Sequence, residues 1–121
     1  MITEDYVPYE IAKLLKEKGF DWEVRRSFFE HDNIYAPCDP SDVPRKDVIA
    51  IPTLQMTMKW LRNTFRLEIY PYHNYDNSKW WYEIIKYPNS VAEYECGKDE
   101  ELDTYEQVCE AAIKYCLENL I

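Results

Sequence analysis

Only two glycines, Gly19 and Gly97, occur in 121 residues. A glycine-rich loop that cradles phosphate is thereby excluded, because close backbone approach to an anion needs several residues without a Cβ. Histidine is as sparse, at His31 and His73, so any nucleophile-base pair has few bases to draw on. The four cysteines, Cys38, Cys96, Cys109 and Cys116, form no CxxC pair and fit no zinc spacing. No run approaches the roughly 18 to 20 apolar residues of a membrane span. The opening residues MITED carry neither the basic nor the apolar region of a signal peptide. The expectation is a cytoplasmic protein with reduced thiols, no disulfide, no membrane association and no cofactor.

Apolar and aromatic residues are plentiful, at 46% and 16% of the chain, which argues for an ordered core and against a long flexible tail. The length suits a single globular domain over residues 1–121. Charge is the second abundance. The net formal charge is -9, and between Glu93 and Glu110 eight acids face the single base Lys98. Such a segment repels a phosphate backbone, since nucleic-acid binding depends on Lys and Arg displacing counterions. Direct nucleic-acid binding is not expected.

Along the chain, VPYEIAKLLKEKGF reads as a helix. Pro8 suits a first helical position, Ile11, Leu14 and Leu15 recur at helical spacing, and Gly19 can take the left-handed conformation that ends a helix. Phe20, Trp22, Val24 and Phe28 then alternate with polar residues, the period of a half-buried strand running to about Phe29. From Glu30 to Lys46, Pro37, Pro40 and Pro44 with several aspartates predict one long irregular loop. DVIAI, residues 47–51, is either a short strand or the extended lead-in that Pro52 imposes. In PTLQMTMKWLRNTF, Leu54, Met58, Leu61 and Phe65 form a helical stripe widened by Met56 and Trp60, with Thr53 as a plausible cap.

RLEIYPY, KWWYEIIKY and SVAEYEC follow as three strands joined by turn-forming residues, the pattern of an antiparallel meander. If Leu67, Ile69, Tyr82 and Ile84 face a core, alternation puts Tyr70, Tyr72, Trp81, Ile85 and Tyr87 on the opposite face. That face is unusually apolar for water. Either the first helix or the long loop covers it, or it is a protein-binding or homodimer surface, for which Tyr and Trp are favoured anchors. The candidate protein-binding residues are therefore Tyr70, Tyr72, Trp81 and Tyr87.

The closing helix starts at Thr104, with Gln107 three residues on as its reciprocal cap. Cys109 and Cys116 share a stripe with Tyr105, Val108, Ala112, Ile113 and Leu120. Two helical turns, about 10 Å, separate the two thiols, too far for a disulfide or a shared ion. They read as small apolar filler. A metal site would have to use His31, Asp32, Cys38 and Asp39, whose spacing fits no standard pattern. Cys38 beside a histidine is the one conceivable nucleophile, and nothing in the spacing supports it. No catalytic or metal-binding residue is assigned.

The segments YEIAKLLKEKGF, IPTLQMTMKWLR and TYEQVCEAAIKYCLENL resemble those of a family of small proteins of uncharacterised activity, encoded by gut anaerobic bacteria, their phages and other mobile elements. The resemblance spans most of the chain. It implies kinship without implying a reaction or a catalytic residue. Some members have a cysteine shortly after the Gly-Phe that ends the first helix, where this chain has Trp22, Glu23 and Val24.

Together these readings give an α+β fold, an antiparallel sheet of three to five strands with about three helices packed mainly on one face. The last five elements repeat the order of a double-stranded-RNA-binding domain, but Asp103, Glu106 and Glu110 stand where that function needs bases. The expected function is a small acidic accessory or interaction protein that binds a protein partner or a second copy. One alternative is an acidic mimic of nucleic acid that occupies a DNA-binding protein. The other is an enzyme of unrecognised type.

Overall fold

The computed structural model describes residues 5–22, 24, 26–31, 34–38, 48–88, 91–95 and 101–121. The fold is α+β, with antiparallel strand pairing and three α-helices. The chain divides into two compact units, residues 1–53 and 54–121.

In the first unit, α1 (Tyr9–Glu17) is followed by β1 (Arg26–His31), β2 (Ile34–Cys38) and β3 (Val48–Ile51). α1 buries Ile11, Ala12 and Leu15 and packs on β3, where Ile49 and Ile51 are buried. Pro8 sits one position earlier than the sequence suggests, at the N-cap. The helix ends as Gly19 predicts, at φ +90°. Gly19 N donates to Lys16 O at 3.2 Å and Phe20 N to Leu15 O at 3.0 Å, the paired bonds of a Schellman ending. This ending corrects the strand expected from Phe20. The Phe20 amide is spent on the helix, its ring packs 6.3 Å from Trp22, and among the described residues strand pairing begins at Arg26.

The loop expected over residues 30–46 is also corrected, because β2 lies within it, antiparallel to β1 with Pro37 opposite Phe28. The strand order is β2-β1-β3, so β2 is an edge, and an edge strand tolerates a residue without an N–H. Pro40 and Pro44 lie outside the described residues. Val48–Ile51 of the segment DVIAI is strand: β3 pairs antiparallel with β1, Phe28 opposite Ile49, and Asp47 lies outside the described residues. Ser27, expected on the polar side of β1, is buried at 2% exposure, and among the described residues its hydroxyl has no hydrogen-bond partner.

The second unit runs α2 (Leu54–Phe65), β4 (Leu67–Asn74), β5 (Lys79–Lys86), β6 (Val91–Glu95) and α3 (Tyr105–Tyr115), followed by a terminal π-helical turn, Cys116–Leu120. Its sheet order is β4-β5-β6, all antiparallel, the meander expected of three strands joined by short turns. α2 buries Leu54, Thr57, Met58, Trp60 and Leu61. Arg66, at φ +60°, turns the chain from that helix straight into β4.

In β4 and β5, Ile69 stands opposite Ile84 and Pro71 opposite Tyr82. Leu67, Ile69, Tyr82 and Ile84 are all buried, so they form the core face. Both helices pack on these strands, and the Trp80–Tyr105 ring contact at 5.5 Å fixes the side that α3 occupies. α3 opens with the expected reciprocal cap: Gln107 N donates to Thr104 Oγ1 at 3.1 Å, and Thr104 N to Gln107 Oε1 at 3.2 Å. Cys109 and Cys116 are completely buried. Loss of hydration pushes their thiols up to about 11 and about 12 respectively.

Candidate functional site: the aromatic face of the hairpin

Strand pleating sends alternate side chains to opposite faces, so the face remote from the core carries Glu68, Tyr70 and Tyr72 from β4 with Trp81, Glu83 and Ile85 from β5. The register sets Glu68 opposite Ile85, Tyr70 opposite Glu83 and Tyr72 opposite Trp81. All four candidate binding residues come together here. Tyr70, Tyr72 and Tyr87 are 37%, 39% and 37% exposed, and Trp81 and Ile85 are half-buried.

Two local structures hold the rings in place. Tyr72 and Trp81 stack across the strands, with centroids 4.3 Å apart and planes 18° from parallel. At the other end, Tyr87 lies just beyond β5, where its amide donates to Arg66 O at 2.9 Å and closes the ladder. The Tyr87 hydroxyl donates to Glu68 Oε2 at 3.0 Å. Arg62 Nε lies 3.3 Å from the same oxygen. A hydrogen bond with Tyr70, together with the Glu68 carboxylate, pushes the Tyr87 hydroxyl up to about 12. At neutral pH the Tyr87 hydroxyl is therefore a neutral donor.

The hairpin tip carries a second ring cluster. His73 packs 4.9 Å from Tyr75 and 4.9 Å from Trp80. Tyr105 extends the cluster, and its hydroxyl accepts from Gln55 Nε2 at 2.8 Å. The same tip gathers part of the acidic segment. Leu102 exchanges two backbone hydrogen bonds with Trp80 at 2.7 and 2.8 Å, Asn77 Nδ2 donates to Glu101 Oε2 at 2.8 Å, and Lys79 pairs with Asp103.

The chemical candidates fare differently. Cys38 stands opposite Ser27 and His31 opposite Ile34. Their positions are thus four residues apart along β1, roughly 13 Å at strand rise. Asp32 and Asp39 lie outside the described residues. His73 forms no hydrogen bond to a nucleophile among the described residues; its neighbours are rings. Among the described residues no cluster of three His, Cys, Asp or Glu is placed to hold a metal ion, and no helix is long and apolar enough to cross a membrane.

Sequence reasoning found the four aromatic residues from alternation alone. It missed Glu68 and Arg62, which anchor Tyr87, and Glu83, which stands among the rings. Alternation puts Glu68 and Glu83 on the face of the rings, and the β4–β5 register and the α2–β4 junction set which ring and which arginine each meets. No protein-family model, curated protein or solved structure matches this chain.

Proposed function

We propose that this chain is a small acidic accessory protein of a phage or other mobile element, acting in the cytoplasm by binding another protein chain through the outer face of the β4–β5 hairpin. The observation that carries the reading is the set of large rings shared by that face, three of them more than a third exposed. Rings so placed gain by being covered, and Tyr and Trp are the residues whose truncation most often costs an interface about 2 kcal/mol or more. The origin in a mobile element rests on the resemblance of the three quoted segments.

The nucleic-acid mimic finds less support. A mimic presents its carboxylates outward in rows, whereas Glu101 and Asp103 are engaged by Asn77 and Lys79 of the chain itself. The test uses the tagged full chain in its native host, with Trp81→Ala purified in parallel. A partner identified by mass spectrometry with the parent and lost with the variant supports the reading. Equal recovery with both, and no change in sedimentation, overturns it.

A further inference from the structure

The central part of the outer face has a charge of its own. Glu83 stands directly opposite Tyr70 and two residues from Trp81 on the same strand face, and among the described residues it has no cationic partner. Of the other charges near the rings, Glu68 pairs with Arg62 and Lys79 with Asp103, while Lys86 stands opposite Leu67 at the Tyr87 end of β5. Arg66 precedes β4 at the Tyr87 end, away from Trp81. Around Trp81, Tyr72 and Tyr70 the uncompensated charge is thus negative, on a chain whose net charge is -9.

Area separates the two occupants open to this face. A Tyr or Trp that buries about 150–250 Å² when enclosed presents on the order of 100 Å² at this exposure, so the rings together offer on the order of 400 Å². A stable protein–protein interface takes roughly 800 Å² from each partner. The patch suits a short segment better than a whole domain face. A second copy is further disfavoured by charge, because a two-fold contact would set Glu83 near its own equivalent on a partner of the same net sign.

We infer that the occupant is a short cationic segment of a partner protein, whose arginine or lysine side chains lie on Trp81, Tyr72 and Tyr70 with Glu83 as their counter-charge. Aromatic faces attract guanidinium and ammonium groups, arginine above all, because its planar fork stacks on a ring while still pairing with a carboxylate. The inference rests on the proposed protein-binding role of the same face and specifies its ligand.

A fluorescein-labelled dodecapeptide of alternating arginine and glycine serves as the probe, with its glutamate-for-arginine counterpart as control, read by anisotropy against the full chain. The expected result is binding of the cationic peptide alone, weakened by added salt. Affinity should fall about tenfold or more in Trp81→Ala and in Glu83→Lys. Glu106→Lys, which changes net charge equally but lies on α3, should retain nearly full affinity. Should Trp81→Ala not fold by circular dichroism, the comparison of the two lysine variants decides. Equal losses in those variants, or no binding at millimolar peptide, overturn the inference. A dimer seen by sedimentation and broken by Glu83→Arg or Trp81→Ala also overturns it, yet keeps the face as an interface. Failure of both peptide binding and self-association to respond to Trp81 or Glu83 removes the face from function altogether.

Discussion

Tyr72 and Trp81 face each other across the β4–β5 ladder and stack with ring centroids 4.3 Å apart. Three residues along the ladder, and on the opposite face, the same two strands present Ile69 opposite Ile84, both buried. The hairpin therefore has one face that stabilises the fold and one whose rings remain partly in water. This division gives the first prediction. Ile84→Ala should cost about 2–5 kcal/mol through lost transfer energy and a cavity. Trp81→Ala should cost only about 1 kcal/mol, chiefly the cross-strand stack. Urea denaturation followed by circular dichroism measures both. A loss at Trp81 as large as that at Ile84 would place its ring in the core and remove the reason to expect a partner there.

Charge leads to a second expectation. Glu106 stands in the first turn of α3, Asp103 and Glu101 lie just before it, and the cation beside them, Lys79, is already paired with Asp103. Carboxylates there favour the helix itself through its dipole. Neither double-stranded DNA nor RNA should shift in a gel at physiological salt. A submicromolar complex whose affinity falls steeply with salt would reveal a basic surface that the acidic segment does not counter.

Much of this was legible because the signals are local. Gly19 marks the end of α1, Thr104 and Gln107 specify the start of α3, and alternation in RLEIYPY and KWWYEIIKY sorts their side chains onto two faces. Where local signals compete, the reading failed. Phe20 to Val24 alternate like a strand, yet the Phe20 amide caps α1. Pro37 signals a loop unless the strand is an edge, and strand order is a property of the assembled sheet. Thr57 shares the helical spacing of Leu54 and Leu61, but its hydroxyl hid its complete burial. In the site, the ring set followed from period two. The Tyr72–Trp81 stack and the Arg62–Glu68–Tyr87 link did not, because they depend on which residue of one strand meets which of another.

Among the described residues, two other than glycine adopt the left-handed region, Arg66 at φ +60° and Ser78 at φ +58°. Each is exposed and occupies a tight connection, Arg66 from α2 to β4 and Ser78 at the end of the β4–β5 turn. A side chain in that region costs about 1–2 kcal/mol relative to glycine, and glycine returns about 0.5–1 kcal/mol of this through the freer unfolded chain. Arg66→Gly and Ser78→Gly should therefore each stabilise by up to about 1 kcal/mol, read as a higher denaturation midpoint. Lys59→Gly, on the exposed side of α2, should destabilise by roughly 0.5–1 kcal/mol. A midpoint lowered by all three glycines would mean that the two left-handed positions carry no relievable strain.

The two cysteines of the C-terminal helical segment bear on stability at alkaline pH. Burial pushes Cys109 up to about 11 and Cys116 up to about 12, whereas an unfolded thiol ionises near pH 8.5. Below that pH both states hold the proton and stability is unaffected. Above it the unfolded chain releases protons that the native chain retains, so stability falls with a slope approaching about 1.4 kcal/mol per pH unit for each thiol. The loss from Cys109 levels off near pH 11 and that from Cys116 near pH 12. Replacing both with alanine should cost on the order of 1 kcal/mol per site at pH 7 through lost packing, and should flatten the decline between pH 8.5 and 11. Urea titrations of parent and double variant across that range measure the difference in slope. In the same buffers a polar alkylating reagent should label these two thiols only on unfolding. Prompt labelling of both in the native protein, or identical slopes for parent and variant, would show that the thiols are solvated and that the close packing of α3 against the sheet does not extend to them.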